Sequence, residues 1–190
     1  GDLGYGVFEN FVKKYPNKFY NVGICEQFMT SCAAGLAICG EIVVTYSIGN
    51  FNTLRCLEQI RNDVCYHNAH VIIISVGGGF SYGSLGMSHH ATEDIAIMSV
   101  LPNMKVFAPG DPEEAIEAIR FAVNHEGPSY IRLARRGEPI LYKKQYNLNI
   151  LEVQKVFEEN THIAILASGP ILSEAIKCHM LLKEKGILTS

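Results

Sequence analysis

The chain has 190 residues, 48% of them hydrophobic and 18% charged, with a formal net charge of −3. This length suits one full domain and part of a second, and the composition suits a soluble protein with a large core. The slightly acidic balance argues against nucleic acid or an anionic membrane surface as a partner. The longest apolar runs, such as residues 71–76, are too short to span a bilayer.

The start of the chain and its cysteines bear on where the protein works. The sequence opens abruptly at Gly1 without the basic and apolar regions of a signal peptide, which is also consistent with a fragment of a longer chain. The chain has six cysteines but no CxxC pair. Cys25, Cys32 and Cys39 are seven residues apart, which indicates small side chains on one packed helix face rather than a metal site. A reducing, cytoplasmic compartment is therefore expected.

Strands and helices alternate along the first part of the chain. Apolar residues three and four apart predict the helices, and β-branched or continuous apolar runs predict the strands. Thr92 and Asp111 are the expected N-caps of the last two helices. This alternation predicts an α/β fold, in which a mostly parallel sheet carries helices on both faces. In chain order, the predicted elements are a helix at 7–15, a strand at 19–22, a helix at 26–39, a strand at 42–46, a helix at 54–67, a strand at 71–76, a helix at 93–100, a strand at 104–108, a helix at 112–125 and a strand at 130–133.

The composition changes after the last of these strands. Residues 137–160 are rich in Lys, Gln and Asn, which predicts a linker. A strand at 163–167 and a helix at 172–185 follow it. Residues 161–190 are therefore expected to start a second α/β domain that is incomplete, and the first domain is expected to occupy residues 1–136.

Glu26 is the first candidate for a chemical role. It is the only charged residue between Lys18 and Glu41, and it opens an almost wholly apolar helix. Such a helix should be buried on most sides, and a buried charge is costly unless it has a partner or is neutralised. A solvated first-turn glutamate, favoured by the helix dipole, is the alternative. The apolar surroundings favour a buried carboxylate that takes part in chemistry.

A histidine pair follows the predicted strand at 71–76, in a loop rich in Gly and Ser. Ligands of parallel sheets bind at the carboxyl ends of strands, so His89 and His90 are well placed. Adjacent side chains point to opposite sides of an extended chain, so at most one is expected to face a given ligand. No Cys or carboxylate stands beside them at metal spacing, and no metal site is expected. An exposed pair without a role is an equal alternative.

Three arginines stand at the end of the predicted strand at 130–133: Arg132, Arg135 and Arg136. The guanidinium fork can bind a phosphate or a carboxylate through two parallel hydrogen bonds. A solvated or salt-bridged arginine is the more common outcome. The position makes these residues candidates for an anion site at the same edge of the sheet.

Several motifs in register resemble one enzyme family. The stretch Asn21-Val22-Gly23-Ile24-Cys25-Glu26-Gln27 resembles the NVGIAEQ stretch of transketolases and 1-deoxyxylulose-5-phosphate synthases. Residues 162–186 resemble the start of the C-terminal domain of that family. The resemblance therefore implies the thiamine diphosphate-binding fold, as the pyrimidine-binding domain plus the start of the third domain. The further matching stretches are Asp2-Leu3-Gly4 (DLG), 86–90 (GPTHQ), 101–106 with 109–111 (IPNM-V-PSD), and 127–135 (GPT…LSR).

The resemblance implies thiamine diphosphate as cofactor. In the family, the residue that matches Glu26 hydrogen-bonds N1′ of the aminopyrimidine and stabilises the imino tautomer, whose 4′-nitrogen removes the C2 proton of the thiazolium. A carboxylate shielded from water suits that role, because it can share a proton with a ring nitrogen near neutral pH. The cofactor then carries the difficult chemistry, and the protein supplies orientation and electrostatics.

The resemblance also assigns roles to individual residues. His89 matches a family histidine that contacts the substrate near the reacting carbon, and Arg135 matches an arginine that holds a sugar phosphate. His90 stands where the family usually has Gln, so its role is open. Glu26 and His89 are thus the predicted catalytic residues, and His89 and Arg135 the predicted substrate-binding ones. The predicted cofactor-binding residues are Glu26, Phe51, Tyr46 and Asp2.

The sequence lacks the GDG motif through which the family holds Mg²⁺ and the diphosphate. The resemblance therefore implies that Mg²⁺ is bound by a diphosphate-binding N-terminal subunit or domain, in a homodimer or heterotetramer. The predicted function is transfer of a two-carbon ketol unit between sugars or sugar phosphates. Two related alternatives are a 1-deoxyxylulose-5-phosphate synthase-like subunit and a 2-oxo-acid dehydrogenase β subunit. A non-catalytic domain for oligomerisation or regulation is the alternative from another class.

Overall fold

The computed structural model describes residues 1, 3–4, 6–135, 137–142, 149–159 and 161–190. Asp2, a predicted cofactor-binding residue, lies outside the described residues, as do Arg136 and part of the predicted linker. Within the described ranges, no helix has the length and apolar character needed to cross a membrane.

Four parallel strands form one sheet in the order β1-β2-β4-β3. All six residues of the central strand β2 are buried, as its continuous apolar run predicts. Because the strands are parallel, their carboxyl ends meet at one edge of the sheet. The strands are β1 (Val43–Ile48), β2 (Val71–Val76), β3 (Lys105–Phe107) and β4 (Ser129–Leu133).

Helices cover both faces of this sheet. Ala33, Ile60 and Met98 pack on one face in a core that includes Ile73 of β2. Ala118 packs on the other face in a second core, which contains other residues of β2 and β4. The predicted α/β fold is therefore confirmed. The α-helices are α1 (Glu9–Lys14), α2 (Glu26–Ile38), α3 (Leu57–Gln59), α4 (Asp94–Ser99), α5 (Pro112–Asn124) and α6 (Leu172–Glu184).

Two predicted strands are wrong. Residues 19–22 pair with no strand. The ring of Phe19 packs on that of Phe8, with 5.8 Å between the ring centroids, and the segment leads into α2. Residues 163–167 form no strand either. Their backbone bonds to Ser190 are those of residues 163 and 165, at 3.0 and 2.8 Å, which is too short a ladder for a strand.

Three boundaries differ from the predictions. Strand β1 continues through Ser47 and Ile48, which the sequence predicted as loop. The helix predicted at 54–67 is a 3₁₀ turn at Leu54–Cys56, then α3, then a π-helix at Ile60–Cys65. Thr92 does not cap α4, because its hydroxyl donates to the Glu93 carboxylate at 2.7 Å.

The cap of α5 is confirmed. The Asp111 carboxylate accepts the backbone N–H of Glu114 at 2.9 Å, and Pro112 occupies the first turn. The other oxygen of Asp111 accepts the N–H groups of Leu141 and Tyr142, at 3.0 and 3.1 Å. Asp111 thus ties the segment after β4 to the start of α5.

Helix α2 is less buried in this chain than its composition predicts. Its buried residues are Glu26, Thr30, Ala33 and Ala34, which form one stripe against the sheet. The opposite side is open: it carries Phe28, Leu36 and Ile38, which are 59, 46 and 59% exposed. An apolar helix with one uncovered face is typical of a protein interface.

Candidate active site

The Glu26 side chain lies at the carboxyl edge of the sheet and is almost fully shielded from water. The residue is 3% exposed, and its Oε2 accepts a hydrogen bond from Nη1 of Arg55 at 2.8 Å. Arg55 stands in the 3₁₀ turn that follows β1, and its side chain is 43% exposed. A buried carboxylate needs such a partner, because desolvation would otherwise destabilise the charge.

Arg55 also connects Glu26 to an aromatic ring. Its guanidinium lies over the ring of Phe51, with Cζ 4.1 Å from the ring centroid. Phe51 in turn meets the imidazole of His89, with 5.2 Å between ring centroids. The loop after β1 and the loop after β2 are joined here by Asn50, whose Nδ2 donates to the carbonyl of Ser88 at 2.8 Å.

The contacts continue from His89 towards β4. The imidazole lies 5.9 Å from the ring of Tyr82, and the guanidinium of Arg135 lies 5.2 Å from that same ring. Burial raises the pKa of the Tyr82 hydroxyl, and the positive charge of Arg135 opposes this rise. We name the continuous set of contacting residues the edge cluster: Glu26, Arg55, Phe51, His89, Tyr82 and Arg135.

The edge cluster brings together Glu26, Phe51, His89 and Arg135, all predicted from the sequence. Tyr46, the other aromatic candidate, lies in β1 with its ring edge-on to Phe8 at 4.9 Å. Burial raises the pKa of the Tyr46 hydroxyl, and nearby Tyr82 adds to that rise. Tyr46 therefore borders the cluster beside Tyr82, and Phe51 is the ring that is linked to Glu26.

Sequence reasoning missed two members of the cluster. A buried Glu26 needs a cation, and Arg55 is the first basic residue after Lys18. The sequence could therefore have indicated Arg55 as its partner. Tyr82 gave no such signal, because it stands in a loop without periodicity. Its place follows from how the loop folds back.

His90 belongs to the loop rather than to the edge cluster. Its Nε2 bonds the carbonyl oxygen of Gly83 at 2.9 Å, and its ring lies 5.1 Å from that of Phe80. Gly79 and Ala91 exchange two backbone hydrogen bonds at the base of the loop. His89 and His90 therefore point to different surroundings, as expected for neighbours in sequence.

A buried polar network lies beneath this loop. Oδ2 of Asp94, which is 1% exposed, accepts hydrogen bonds from the hydroxyl of Tyr130 at 2.6 Å and from Nε of Arg132 at 2.8 Å. Burial and the Asp94 charge raise the pKa of Tyr130 well above its usual value. A Cβ at Gly78 would lie 2.4 Å from Arg132 Nε, so the guanidinium fills space that only glycine leaves. Arg132 is thus salt-bridged, the more common of the outcomes expected for these arginines.

The described part of the chain contains no group of three or more His, Cys, Asp or Glu residues arranged to hold a metal ion. All six cysteines are free. The edge cluster offers a shielded carboxylate, a flat ring, an imidazole and two guanidinium groups along one edge. Such a set can hydrogen-bond and stack on a heteroaromatic ring and hold an anionic substrate.

Residues 1–138 match the family described as the transketolase pyrimidine-binding domain. The chain belongs to this family. All residues of the edge cluster lie within the range that matches this domain.

Individual relatives agree with this membership. The chain is 37% identical to one subunit of the apulose-4-phosphate transketolase from Actinobacillus succinogenes, over 93% of this chain and 57% of that protein. It is 33% identical to 1-deoxy-D-xylulose-5-phosphate synthase 1 from Geobacter sulfurreducens, over 93% of this chain and 28% of that one. A solved structure of a split-gene transketolase, described as an inactive β4 tetramer, has a TM-score of 0.83 and 35% identity, over 95% of this chain and 58% of that one. The chain thus spans little more than half the length of its transketolase relatives.

Proposed function

We propose that this chain is the pyrimidine-binding section of a thiamine diphosphate-dependent, transketolase-like enzyme. The enzyme transfers a two-carbon ketol unit between sugars or sugar phosphates. The observation that carries the proposal is the carboxylate of Glu26, which is 3% exposed and is linked through Arg55 to the Phe51 ring. The six free cysteines support a reducing compartment, the cytoplasm.

The residues of the edge cluster fit the aminopyrimidine of the cofactor. Glu26 would hydrogen-bond the ring nitrogen N1′ and would accept from the N1′–H that the imino tautomer carries. Phe51 would stack on the ring face. The bound cofactor would supply the carbon nucleophile that protein side chains lack. Arg55 would hold the Glu26 carboxylate in place through the 2.8 Å contact between Nη1 and Oε2.

His89 and Arg135 would act on the substrate. The imidazole of His89 touches Phe51, so it faces the region where the pyrimidine would stack and could bind a substrate oxygen near the reacting carbon. Arg135 is exposed at the far end of the cluster, where its fork would bind a phosphate.

The proposal includes a partner that binds the diphosphate and Mg²⁺. The uncovered face of α2, with Phe28, Leu36 and Ile38, supports a partner surface on the helix that begins with Glu26. Two relatives support the same arrangement: one is named as a single subunit of a transketolase, and the split-gene one is described as inactive in a β4 tetramer. The complete enzyme would then be an oligomer of two kinds of chain or section.

The test is reconstitution. The chain is mixed with its diphosphate-binding partner, thiamine diphosphate and Mg²⁺, and ketose donors are screened for ketol transfer. Activity is expected only in the mixture. Glu26→Gln keeps the shape of the side chain but removes its negative charge and its ability to exchange a proton. The change should reduce kcat at least about hundredfold. Circular dichroism and the mass of the complex check that the variant folds and assembles.

The similarity to 1-deoxy-D-xylulose-5-phosphate synthase favours a second candidate, in which a 2-oxo acid loses CO2 and its remaining acyl carbons condense with an aldose phosphate. The same mixture is therefore also given pyruvate with glyceraldehyde 3-phosphate. Product from these substrates alone would replace ketol transfer with the synthase reaction. Full activity of the Glu26→Gln complex would contradict cofactor activation by Glu26 and would favour a structural role for this domain.

A further inference from the structure

Tyr82 joins His89 to Arg135 within the edge cluster. Its ring lies between the imidazole of His89, at 5.9 Å, and the guanidinium of Arg135, at 5.2 Å. In the proposed function, His89 lies beside the reacting carbon of the substrate and Arg135 binds its phosphate. Tyr82 is therefore placed to act on both.

The position of Tyr82 is fixed by its contact with backbone. A Cβ on Gly77 would lie 2.0 Å from Cε2 of Tyr82, so the ring rests directly on the main chain at the end of β2. Gly77 also has φ of +82°, a conformation that disfavours other residues. Tyr82 is half-buried although it stands in a loop whose other apolar residues, such as Phe80, are exposed.

The ring and the hydroxyl of Tyr82 can each make an interaction at this position. The ring face attracts a guanidinium by a cation–π interaction, which limits the freedom of an otherwise exposed arginine. The hydroxyl can donate a hydrogen bond, because a tyrosine is protonated at neutral pH, and burial raises its pKa further.

We propose that Tyr82 is a positioning and specificity residue, whose ring holds Arg135 for the phosphate of a sugar-phosphate substrate. Its hydroxyl would donate a hydrogen bond to that substrate. The inference rests on the proposed function and deepens it: substrates that carry a phosphate are preferred, and Tyr82 together with Arg135 sets that preference.

The test uses the complete complex with its partner subunit, cofactor and Mg²⁺. Tyr82→Leu should raise KM for a ketose phosphate about three- to tenfold and leave kcat within about twofold, because the cation–π support of Arg135 is lost. KM for the matching unphosphorylated ketose should change far less. Arg135→Ala should show the same selectivity, and the double variant should be no worse than Arg135→Ala alone.

Two further variants separate positioning from loop structure. Tyr82→Phe keeps the ring, so it should retain the preference for phosphate and lose only a hydroxyl contact, equally for both substrates. Phe80→Leu removes a ring from the same loop without touching Arg135, and should keep both KM values within about twofold. Equal losses on both substrates for Tyr82→Leu, or additive losses in the double variant, would overturn the proposal.

Calorimetric titration with the ketose phosphate measures the same differences without turnover. A wild-type complex that binds the ketose phosphate but transfers no ketol unit counts against the proposed function, while the titration still decides the role of Tyr82. If Tyr82→Leu binds the ketose phosphate as tightly as wild type, Tyr82 does not position Arg135.

Discussion

At the scale of residues, the Glu26–Arg55 pair explains how a carboxylate with no cation nearby in sequence can be buried. The chain from Lys18 to Glu41 offers no cation to the carboxylate, yet the carboxylate is 3% exposed. Arg55 comes from the turn after the neighbouring strand and keeps 43% of its side chain in solvent. The pair therefore has one desolvated partner and one hydrated partner, so removing one of them should cost less than it would in a fully buried pair.

This asymmetry predicts the effect of Arg55→Met. The variant leaves the Glu26 carboxylate without its cation and should lower the free energy of unfolding by about 1–2 kcal/mol, less than for a fully buried pair. Urea unfolding of the chain measures it.

The double variant Glu26→Gln/Arg55→Met should recover most of that loss, because the uncompensated charge is gone. Arg61→Met, at an exposed arginine whose side chain bonds Asn62, should change stability by less than about 0.5 kcal/mol. A double variant as unstable as Arg55→Met would show that the packing of Arg55, and not its charge, is what matters.

The residue scale also shows where sequence reasoning succeeds and where it fails. The burial of Glu26 could be predicted, because a lone charge in an apolar helix is a local signal, while its catalytic role stays a prediction. Tyr82 could not, since its contacts with His89 and Arg135 join residues from two different loops. The role of His90 could not be predicted either, because only the folded loop shows that its imidazole bonds the carbonyl of Gly83.

At the scale of elements, the loop that carries His89 is supported by α4 and β4. Asp94 of α4 binds Tyr130 and Arg132 of β4 through one oxygen. Its other oxygen, Oδ1, is buried and has no hydrogen-bond partner among the described residues. The nearly buried Arg132 guanidinium also contacts the carbonyl of Ala91, the residue at the base of the loop, at 3.4 Å.

Asp94→Asn should therefore destabilise the chain more than Arg55→Met does. It removes the charge that compensates Arg132, whose side chain is only 16% exposed, and should cost about 3 kcal/mol of unfolding free energy. Thermal and urea unfolding measure this loss. Glu93→Gln, at the neighbouring exposed carboxylate, is the matched control and should be nearly neutral. Equal stability of the two variants would mean that the network contributes nothing.

Elements could be predicted where the local pattern is sufficient. The continuous apolar run of β2 and the Asp111–Pro112 start of α5 specify their structures locally. The extended segments at 19–22 and 163–167 have strand-like composition, but a strand also needs a neighbour, and local sequence does not encode one. The change from 3₁₀ to α to π within 54–65 likewise follows from packing against α2 and the sheet, not from the 3.6-residue pattern alone.

At the scale of the whole molecule, the junction between the sheet and α6 is tightly packed. A Cβ at Gly110 would lie 2.8 Å from Cδ2 of Leu172 and 3.0 Å from the carbonyl oxygen of Gly169. The N–H of Gly110 also donates to the Glu114 carboxylate at 2.6 Å. The division at residues 136 and 160 stays a prediction, but this contact joins the two sides of it.

Gly110→Ala should lower the free energy of unfolding by about 1–3 kcal/mol, because the added methyl group forces Leu172 and the backbone of Gly169 to move. Gly35→Ala is the matched control. Position 35 lies in the interior of α2 with open space around it, so the same change should stabilise the chain by about 0.5–1 kcal/mol. Denaturant unfolding of the full chain gives both values. A Gly110→Ala chain as stable as wild type would mean that the junction is loose.

The two sides of α2 have a consequence for the cell. One side carries the acid proposed to serve the cofactor, and the other leaves Phe28, Leu36 and Ile38 exposed to water in the single chain. Copies made in surplus would therefore keep an adhesive stripe and associate with one another. With the proposed diphosphate-binding partner on this face, balanced synthesis of the two polypeptides would matter as much for solubility as for turnover.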